Sequence, residues 1–328
     1  MSTLLSVRGL TQHFRLGGLL RRGYTVHAVD DISFDLKQGE TLGLVGESGC
    51  GKSTLGRTLL KLFEPSGGTI TFEGRDITRL SPREMRSLRQ EMQMVFQDPA
   101  ESLNSRHTVG QILEEPFIIH GKGNTEQRRA WVDELLAKVG LPTSARDRYP
   151  HEFSGGQRQR IGIARAIALR PKLLICDEAV SALDVSVQSQ IINLLLTLQR
   201  EMQLAIIFIA HDLSVVKHIS DRIAVMYLGR IVELADAQSL YLAPRHPYTR
   251  ALISAIPVPD PRRRNQRILL TGDVPSPITP PAGCHFHPRC PHATAHCKNV
   301  APTLEGKDEI SHLVACHLPP ATPEPEQG

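Results

Sequence analysis

The sequence predicts an α/β fold built around a parallel β-sheet. Predicted strands alternate with predicted helices along most of the chain, and this alternation is typical of parallel sheets. Residues 173–176 form an apolar run that ends in Asp177 and Glu178, as buried parallel strands do where their carboxyl ends face a ligand crevice. Thr41–Val45 is predicted to be a second buried strand, which leads through a glycine-rich loop into a helix predicted over 54–60.

The remaining elements are predicted from local patterns. Alternating apolar residues indicate strands, a 3.6-residue apolar period indicates helices, and Gly and Pro mark the ends of both. A helix-rich insertion is expected over 109–139, with breaks at Pro116 and at 121–123. The other predicted strands are 5–7, 32–36, 69–72, 92–96 and 204–210, the predicted helices are 155–169 and 185–203, and a hairpin at the sheet's edge spans 222–234 with its turn at 228–230.

Composition argues against two classes of protein. The 328 residues are 41% hydrophobic and 22% charged, with a net charge of +4, so an extended nucleic-acid surface is not expected. No apolar run approaches the ~20 residues that cross a bilayer, and the first residues lack the pattern of a signal peptide. We therefore expect a cytosolic chain, with a disordered tail over 321–328. The one dense basic run, predicted to be a solvated linker, is Arg262, Arg263 and Arg264 with Arg267.

The glycine-rich loop carries the strongest chemical signal in the sequence. It has the pattern G-x-x-x-x-G-K-S, in which the glycines let the backbone curl and point its N–H groups inward at the start of a helix. Lys52 can reach the β- and γ-phosphates of a nucleotide, and the Ser53 hydroxyl can bind Mg²⁺. The loop therefore predicts a site for a nucleoside triphosphate. Its residues are Gly46, Glu47, Ser48, Gly49, Cys50, Gly51, Lys52 and Ser53, followed by Thr54.

Two carboxylates downstream of this loop suit phosphoryl transfer to water. Asp177 would hold Mg²⁺, and Glu178 would polarise the attacking water as a general base. A strand end with two carboxylates could equally be a structural ion pair, but its place after a phosphate loop favours catalysis. Between the two motifs, Ser154 and Gln157 have the spacing of a capping box, which predicts that a helix begins at Gly155.

Five motifs occur in the order and spacing of the ATP-binding cassette (ABC) ATPases, which the chain resembles over roughly residues 5–234. They are the phosphate loop, residues 153–157, the pair Asp177 and Glu178, residues 181–184, and His211 at a strand end. The resemblance implies an ABC-type nucleotidase core with an antiparallel β subdomain and an α-helical subdomain at about 98–165. It also implies ATP as the nucleotide.

The resemblance assigns further roles. Gln97 resembles the glutamine that meets the metal and the γ-phosphate, so that Ser53, Gln97 and Asp177 would bind Mg²⁺. His211 resembles the histidine that contacts the γ-phosphate and the catalytic glutamate; outside this family, a histidine at a strand end is most often structural. Asp184 belongs to the loop that crosses to the partner's site. The residues that resemble the signature contacting ATP held by the partner are Ser154, Gly155, Gly156 and Gln157.

Two details of the nucleotide site stay open. An aromatic residue before the phosphate loop stacks on adenine in this family, and Phe14 is the first choice, with Tyr24 as the alternative. Either could instead be a buried core aromatic. Ala179 stands after Glu178, where the family often has proline, and this difference could alter the stiffness of the loop.

Four cysteines lie in a proline-rich extension after about residue 256. Disulfides are disfavoured in a reducing cytosol, so a metal centre is the better explanation. Four thiolates fit a [4Fe–4S] cluster or a zinc site, and the absence of a C-x₂-C spacing favours iron–sulfur. Cysteines without a ligand are a third possibility, and Cys50 and Cys176 are predicted to be packing residues. The four are Cys284, Cys290, Cys297 and Cys316, and the histidines that could replace them as zinc ligands are His285, His287, His292 and His296.

The extension also narrows the family. Residues 245–252, 275–277 and 283–290 resemble the C-terminal region of the ATP-binding subunits of dipeptide and oligopeptide importers, most closely the second of their two ATPase types. The implied division is an ABC ATPase domain over 1–255 and an irregular cysteine-containing extension over 256–328. The prolines of the extension interrupt any regular element and predict a segment without a core of its own. The implied partners are a second, different ATPase subunit, two permease subunits and an extracytoplasmic peptide-binding protein. The chain would then lie peripherally on the cytoplasmic face of the inner membrane, with no nucleic-acid partner.

Other functions compete with peptide import. A soluble ABC ATPase that acts on ribosomes or DNA usually has two cassettes or a long coiled-coil insertion, and this chain has neither. A regulatory subunit with little hydrolysis of its own is disfavoured by Glu178 and His211. Importers of nickel or other solutes share this branch, and the sequence does not identify the solute.

Overall fold

The computed structural model describes residues 2–17, 23–98, 102–256, 267–306 and 311–317. The basic run at 262–264 and the tail at 321–328 lie outside these residues. The chain divides into two compact units. The first consists of Met1–Ser2, Lys37–Glu40 and Leu80–Ile209, and the second of Thr3–Leu36, Thr41–Arg79 and Ala210–Gly328.

Strands and helices alternate as predicted. The strands of the described chain are β1 (Thr3–Leu16), β2 (Tyr24–Lys37), β3 (Thr41–Val45), β4 (Gly67–Phe72), β5 (Arg75–Asp76), β6 (Met92–Val95), β7 (Leu173–Asp177), β8 (Ala205–Ile209), β9 (Arg222–Tyr227), β10 (Arg230–Asp236) and β11 (Leu313–Val314). The α-helices are α1 (Lys52–Leu59), α2 (Pro82–Leu88), α3 (Val109–Ile119), α4 (Thr125–Lys138), α5 (Gly155–Ile167), α6 (Val185–Met202), α7 (Leu213–Ile219), α8 (Ala237–Leu242), α9 (Pro247–Ser254) and α10 (Ala295–Asn299). Short 3₁₀ helices span Thr143–Asp147, Pro150–Glu152 and His287–Arg289.

The second unit contains an antiparallel sheet with the strand order β2-β1-β4-β5. The predicted strand 5–7 covers only the first part of β1, and the predicted strand 32–36 only the last part of β2; each of the two strands is 14 residues long. Polar residues near the end of β1, such as Gln12 and His13, weaken the alternating pattern there. This sheet is the antiparallel β subdomain that the resemblance implied.

A second group of strands in this unit extends from one side of the phosphate-loop strand β3. Strand β3 pairs with β9 in parallel, and β9 continues into β10 as an antiparallel hairpin. The sequence predicts this hairpin at the edge of the sheet. Strand β11 pairs with β10, however, so the edge strand is β11. The two-residue β11 is too short to give a strand pattern of its own.

The first unit combines three parallel strands with the helical insertion. Strands β6, β7 and β8 pair in parallel, and all five residues of β7 are buried. The predicted break at 121–123 is confirmed, since Gly121 and Gly123 have φ of 62° and 63°. None of the described helices combines the length and the apolar character needed to cross a lipid bilayer.

The predicted break at Pro116 is wrong, because α3 runs through this residue to Ile119. Proline within a helix removes one hydrogen bond and costs about 3 kcal/mol. Helix α3 offsets this cost by burying Val109, Ile112, Leu113 and Phe117, and a capping box formed by Thr108 and Gln111 stabilises its first turn.

The cysteine-containing extension shares the core of the second unit. The Phe286 side chain is 1% exposed and packs edge-on against Tyr227, with ring centroids 5.2 Å apart. It also lies 5.4 Å from the ring of Tyr248 on α9. The extension is therefore packed on an aromatic cluster and is not the coreless segment that its prolines suggested.

Truncating the aromatic anchor tests this packing. We expect Phe286→Ala to lower the free energy of unfolding by about 3–5 kcal/mol, since the fully buried ring would leave a cavity. The matched control is Val300→Ala, because Val300 belongs to the same extension but is 43% exposed, and a change within about 0.5 kcal/mol is expected. Urea unfolding of the full chain measures both values. Equal unfolding midpoints for Phe286→Ala and wild type would show that the extension contributes nothing to this core.

Candidate functional site

The phosphate loop follows β3 and ends at α1, as predicted. Its backbone lies directly against neighbouring backbone at two glycines. A Cβ atom on Gly46 would lie 2.1 Å from the Met226 carbonyl oxygen, and one on Gly51 would lie 2.0 Å from that of Ala28. Both glycines have positive φ, 153° and 105° respectively. A side chain at either position would force the loop away from these contacts.

Lys52 is held inside the loop by the loop's own backbone. It is 4% exposed, and its Nζ donates to the carbonyl oxygens of Gly46 and Glu47 at 2.8 and 3.1 Å. The loop thus concentrates a positive charge at the start of α1, where backbone N–H groups also favour an anion. Burial raises the pKa of the Cys50 thiol despite the Lys52 charge, which fits the prediction that Cys50 is a packing residue.

Glu47 connects the phosphate loop to two distant segments. Its carboxylate accepts hydrogen bonds from Arg289 Nη1 and Nη2 at 2.8 and 3.2 Å. Its backbone N–H donates to the hydroxyl of Tyr248 at 2.9 Å. Neither contact could be predicted from the sequence, because Glu47 lies 242 residues from Arg289 and 201 residues from Tyr248, and no local pattern relates them.

Gln97 and Glu178 are brought together in the first unit. Gln97 Nε2 donates to Glu178 Oε2 at 2.8 Å, which joins the end of β6 to the end of β7. Asp177, the last residue of β7, is fully buried. Glu178 adopts a left-handed backbone conformation with φ of 47°, and such strain in a non-glycine residue is often found at functional sites.

Hydrogen bonds close the turn after Glu178, although Ala179 stands where the family often has proline. The Ser181 N–H and hydroxyl both donate to the Glu178 carbonyl, at 3.1 and 3.0 Å. Ala179 is 2% exposed and packs inside this turn. Hydrogen bonds thus supply the rigidity that Ala179 lacks.

The predicted capping box at the start of α5 is present. Gln157 N–H donates to Ser154 Oγ at 3.3 Å, and Ser154 N–H donates to Gln157 Oε1 at 3.1 Å. Both side chains are exposed, as is Asp184 at the start of α6. A Cβ on Gly156 would lie 2.4 Å from Val187 Cγ1, so glycine lets α5 approach α6 closely. The segment therefore presents a helix N-terminus to solvent.

The remaining predicted residues belong to the second unit. His211 is exposed in the segment before α7. Phe14 is half-buried and packs edge-on against Phe63 at 5.2 Å between ring centroids, whereas Tyr24 is 48% exposed. Neither residue is a fully buried core aromatic, and the choice between them as the adenine contact stays a prediction.

The four cysteines of the extension line one cavity of the four-cysteine module, defined as residues 283–306 and 311–317. The structure describes all six cysteines, and none of them forms a disulfide bond. Cys284 N–H donates to the Cys297 carbonyl at 2.8 Å, and this hydrogen bond joins the segments that carry these two cysteines. Burial, with a smaller contribution from the neighbouring cysteines, raises the pKa of Cys284 to about 11. A cation in the cavity would be needed to stabilise several thiolates there.

The described residues contain one close group of metal-ligating side chains, and it lies outside the extension. Among the described residues, the one group of three or more ligand atoms that all lie within 4.8 Å of one another is His13, His27 and Asp30. No three of the four cysteine sulfurs therefore lie that close. Of the histidines considered as zinc ligands, His287 and His292 line the cavity.

Comparisons with known proteins agree with this architecture. A family model described as "ABC transporter" matches residues 29–181, and one described as "Oligopeptide/dipeptide transporter, C-terminal region" matches residues 232–297. Oligopeptide transport ATP-binding protein AppF of Bacillus subtilis (strain 168) is 54% identical over 321 residues, covering 96% of this chain and 97% of AppF. The probable peptide ABC transporter ATP-binding protein y4tS of Sinorhizobium fredii is 54% identical, covering 96% of this chain and 90% of y4tS.

Solved structures show the same fold. The ATP-binding cassette MJ0796, in a dimeric post-hydrolysis state bound to ADP and Pi, aligns with a TM-score of 0.65 and 26% identity over 71% of this chain and 99% of that one. CbiO1 from Clostridium perfringens, part of the ABC transporter complex cbiONQ, aligns with a TM-score of 0.64 and 30% identity over 74% of this chain and 91% of that one. The chain therefore belongs to the oligopeptide and dipeptide branch of the ABC transporter ATP-binding proteins.

Proposed function

We propose that this chain is the ATP-hydrolysing subunit of an ABC importer that powers the uptake of dipeptides or oligopeptides. The observation that carries the proposal is the similarity to peptide transport ATP-binding proteins over 96% of the chain, which includes the C-terminal region as well as the nucleotide motifs. AppF and y4tS, each 54% identical to this chain, are named for oligopeptides and for peptides, which favours these solutes over nickel and other cargo.

In this proposal the phosphate loop binds ATP, and Lys52 neutralises the β- and γ-phosphates. Ser53, Gln97 and Asp177 hold Mg²⁺, which offsets the phosphate charge. The hydrogen bond to Glu178 uses Nε2 of Gln97, so the Oε1 atom, an oxygen ligand of the kind that Mg²⁺ prefers, is not consumed by it. Glu178 takes a proton from the attacking water, and His211 contacts the γ-phosphate.

The exposed helix N-terminus at Ser154–Gln157 suits a contact with ATP on a second ATPase subunit. The signature Ser154, Gly155, Gly156 and Gln157 and the residue Asp184 act on that subunit's nucleotide, and the partner's equivalents act on this one. We propose a heterodimer, with a different ATPase as the partner. Two permease subunits and an extracytoplasmic peptide-binding protein complete the importer, which places this chain peripherally at the cytoplasmic face of the membrane.

We further propose that the four-cysteine module holds a [4Fe–4S] cluster. Thiolates around one zinc ion, with bonds of about 2.3 Å, lie roughly 3.8 Å apart, because zinc takes a tetrahedral arrangement. The wider spacing of Cys284, Cys290, Cys297 and Cys316 supports a larger inorganic group. Such a cluster would hold together a segment that contains little regular structure.

Removing the general base tests the catalytic role. We expect Glu178→Gln to bind ATP but to hydrolyse it at least roughly a hundredfold more slowly, since a positioned base contributes about 10²–10⁴ to the rate. Phosphate release from the reconstituted importer measures hydrolysis, and equilibrium binding measures affinity. Glu201→Gln, an exposed carboxylate at the end of α6, is the control and keeps wild-type turnover. Near-normal turnover of Glu178→Gln would contradict the base assignment.

Removing one thiol tests the metal centre. The wild-type chain, purified without oxygen, is expected to contain about four iron atoms and a matching amount of acid-labile sulfide. Cys290→Ser lowers both, whereas Cys50→Ser, a cysteine outside the module, leaves both unchanged. Elemental analysis and visible absorption provide the measurement. One equivalent of zinc and no iron in the wild-type chain would exclude the cluster.

The partners are tested by purification from membranes. We expect a tagged chain, extracted with a mild detergent, to bring down two permeases and a second, different ATPase, identified by mass spectrometry. Cells that lack the chain should also lose uptake of a labelled dipeptide or oligopeptide, and expression of the wild-type chain should restore it. Recovery with ribosomes or DNA-repair proteins would contradict the importer and favour a soluble ABC ATPase.

A further inference from the structure

Two contacts hold one residue of the phosphate loop from outside the nucleotide motifs. Arg289 binds the Glu47 carboxylate with two hydrogen bonds, and Tyr248 accepts the Glu47 N–H. The carbonyl oxygen of the same residue accepts Lys52 Nζ at 3.1 Å. Three residues thus hold the backbone and side chain of Glu47. One of them is Lys52, which the motif assigns to phosphate binding.

Arg289 belongs to the four-cysteine module. Arg289 ends the 3₁₀ helix His287–Arg289 and directly precedes Cys290. The helix is anchored on the cysteine loop, since His287 N–H donates to the Cys284 carbonyl at 3.0 Å and Cys290 N–H donates to the His287 carbonyl at 3.3 Å. The position of the guanidinium therefore depends on the fold of the Cys284–Cys290 loop.

The ion pair is largely shielded from water. The side chain of Arg289 is 8% exposed and that of Glu47 is 28% exposed. The guanidinium lies 6.0 Å from the centroid of the Tyr227 ring, and Tyr227 packs on Tyr248 at 4.8 Å between centroids. Burial lowers the pKa of Arg289, but its hydrogen bonds to Glu47 outweigh this effect and raise the pKa, so the charge is retained. Breaking one side of a buried pair is costly, because the other charge stays buried without its partner.

A phosphate loop binds through backbone N–H groups, so its affinity depends on holding one backbone conformation before the nucleotide arrives. We propose that Arg289 and Tyr248 are positioning residues for the phosphate loop, and that through Arg289 the four-cysteine module sets the affinity of this loop for ATP. The proposal rests on the proposed role of residues 46–54 in ATP binding. It gives the module a function in the nucleotide cycle besides holding the extension together.

The test is nucleotide affinity in variants of the full-length chain. Arg289→Met keeps the length of the side chain but removes its charge and its donors, and we expect MgATP to bind about tenfold more weakly, equivalent to about 1.4 kcal/mol. In the reconstituted importer, KM for ATP should rise by a similar factor while kcat changes less than twofold, because a loop contact acts on bound substrate and transition state alike. Arg289→Lys keeps the charge but not the paired donors, so its affinity for MgATP should lie between those of the wild type and of Arg289→Met.

Three further variants separate positioning from general damage. Lys298→Met removes an exposed charge from the same module and should bind MgATP as wild type does. Glu47→Gln should weaken binding by itself but add little in the Arg289→Met background, since the two residues share one interaction. Metal content of each variant, measured in parallel, should match the wild type.

The proposal is overturned if Arg289→Met binds MgATP within about twofold of the wild type, or if Lys298→Met loses as much affinity. It is also overturned if the losses from Glu47→Gln and Arg289→Met simply add, because the two side chains would then act separately. Lys52→Ala distinguishes a failure of the underlying function. Full affinity in that variant would mean that residues 46–54 do not bind ATP, whatever Arg289 does.

Discussion

The phosphate loop depends on a close contact between backbone segments, and the candidate site of the second unit is arranged around it. Gly46 lies against the Met226 carbonyl at the end of β9, and Gly51 lies against the Ala28 carbonyl in β2. Hydrogen bonds join the same segments, since Gly229 N–H donates to the Cys50 carbonyl at 2.9 Å. The turn of the β9–β10 hairpin and strand β2 therefore form the floor of the loop. Lys52 in turn donates to the backbone of the loop that this floor supports.

Much of the fold and the site could be predicted from the sequence, because the signals are local. The apolar run before Asp177, the capping box at Ser154 and the glycine pattern from Gly46 each specify their own conformation over a few residues, and all three are present. The family resemblance assigned Gln97 and Glu178 to the same nucleotide site, but it did not predict the hydrogen bond between them. It joins two strand ends that are 81 residues apart, and no periodicity encodes such a meeting.

The features that the sequence did not predict depend on distant packing. Pro116 would end an isolated helix, but burial of the surrounding apolar residues lets α3 continue. Prolines and a lack of periodicity suggested an extension without a core, yet Phe286 enters an aromatic cluster whose other members come from β9 and α9. The role of Arg289 could not be predicted for the same reason, because its partner Glu47 lies in the phosphate loop, 242 residues away. To predict any of these three features, one would have to know which distant segments pack against each other.

The exposed start of α5 has a consequence for enzymology. Ser154 and Gln157 form hydrogen bonds to each other and are exposed, so the start of this helix is open to a contact from outside the chain. In the proposed dimer each chain carries half of two active sites, and neither half is complete alone. Specific activity per milligram would then rise with the concentration of the partner until it saturates. Activities measured at different dilutions would not be comparable until that saturation point is known.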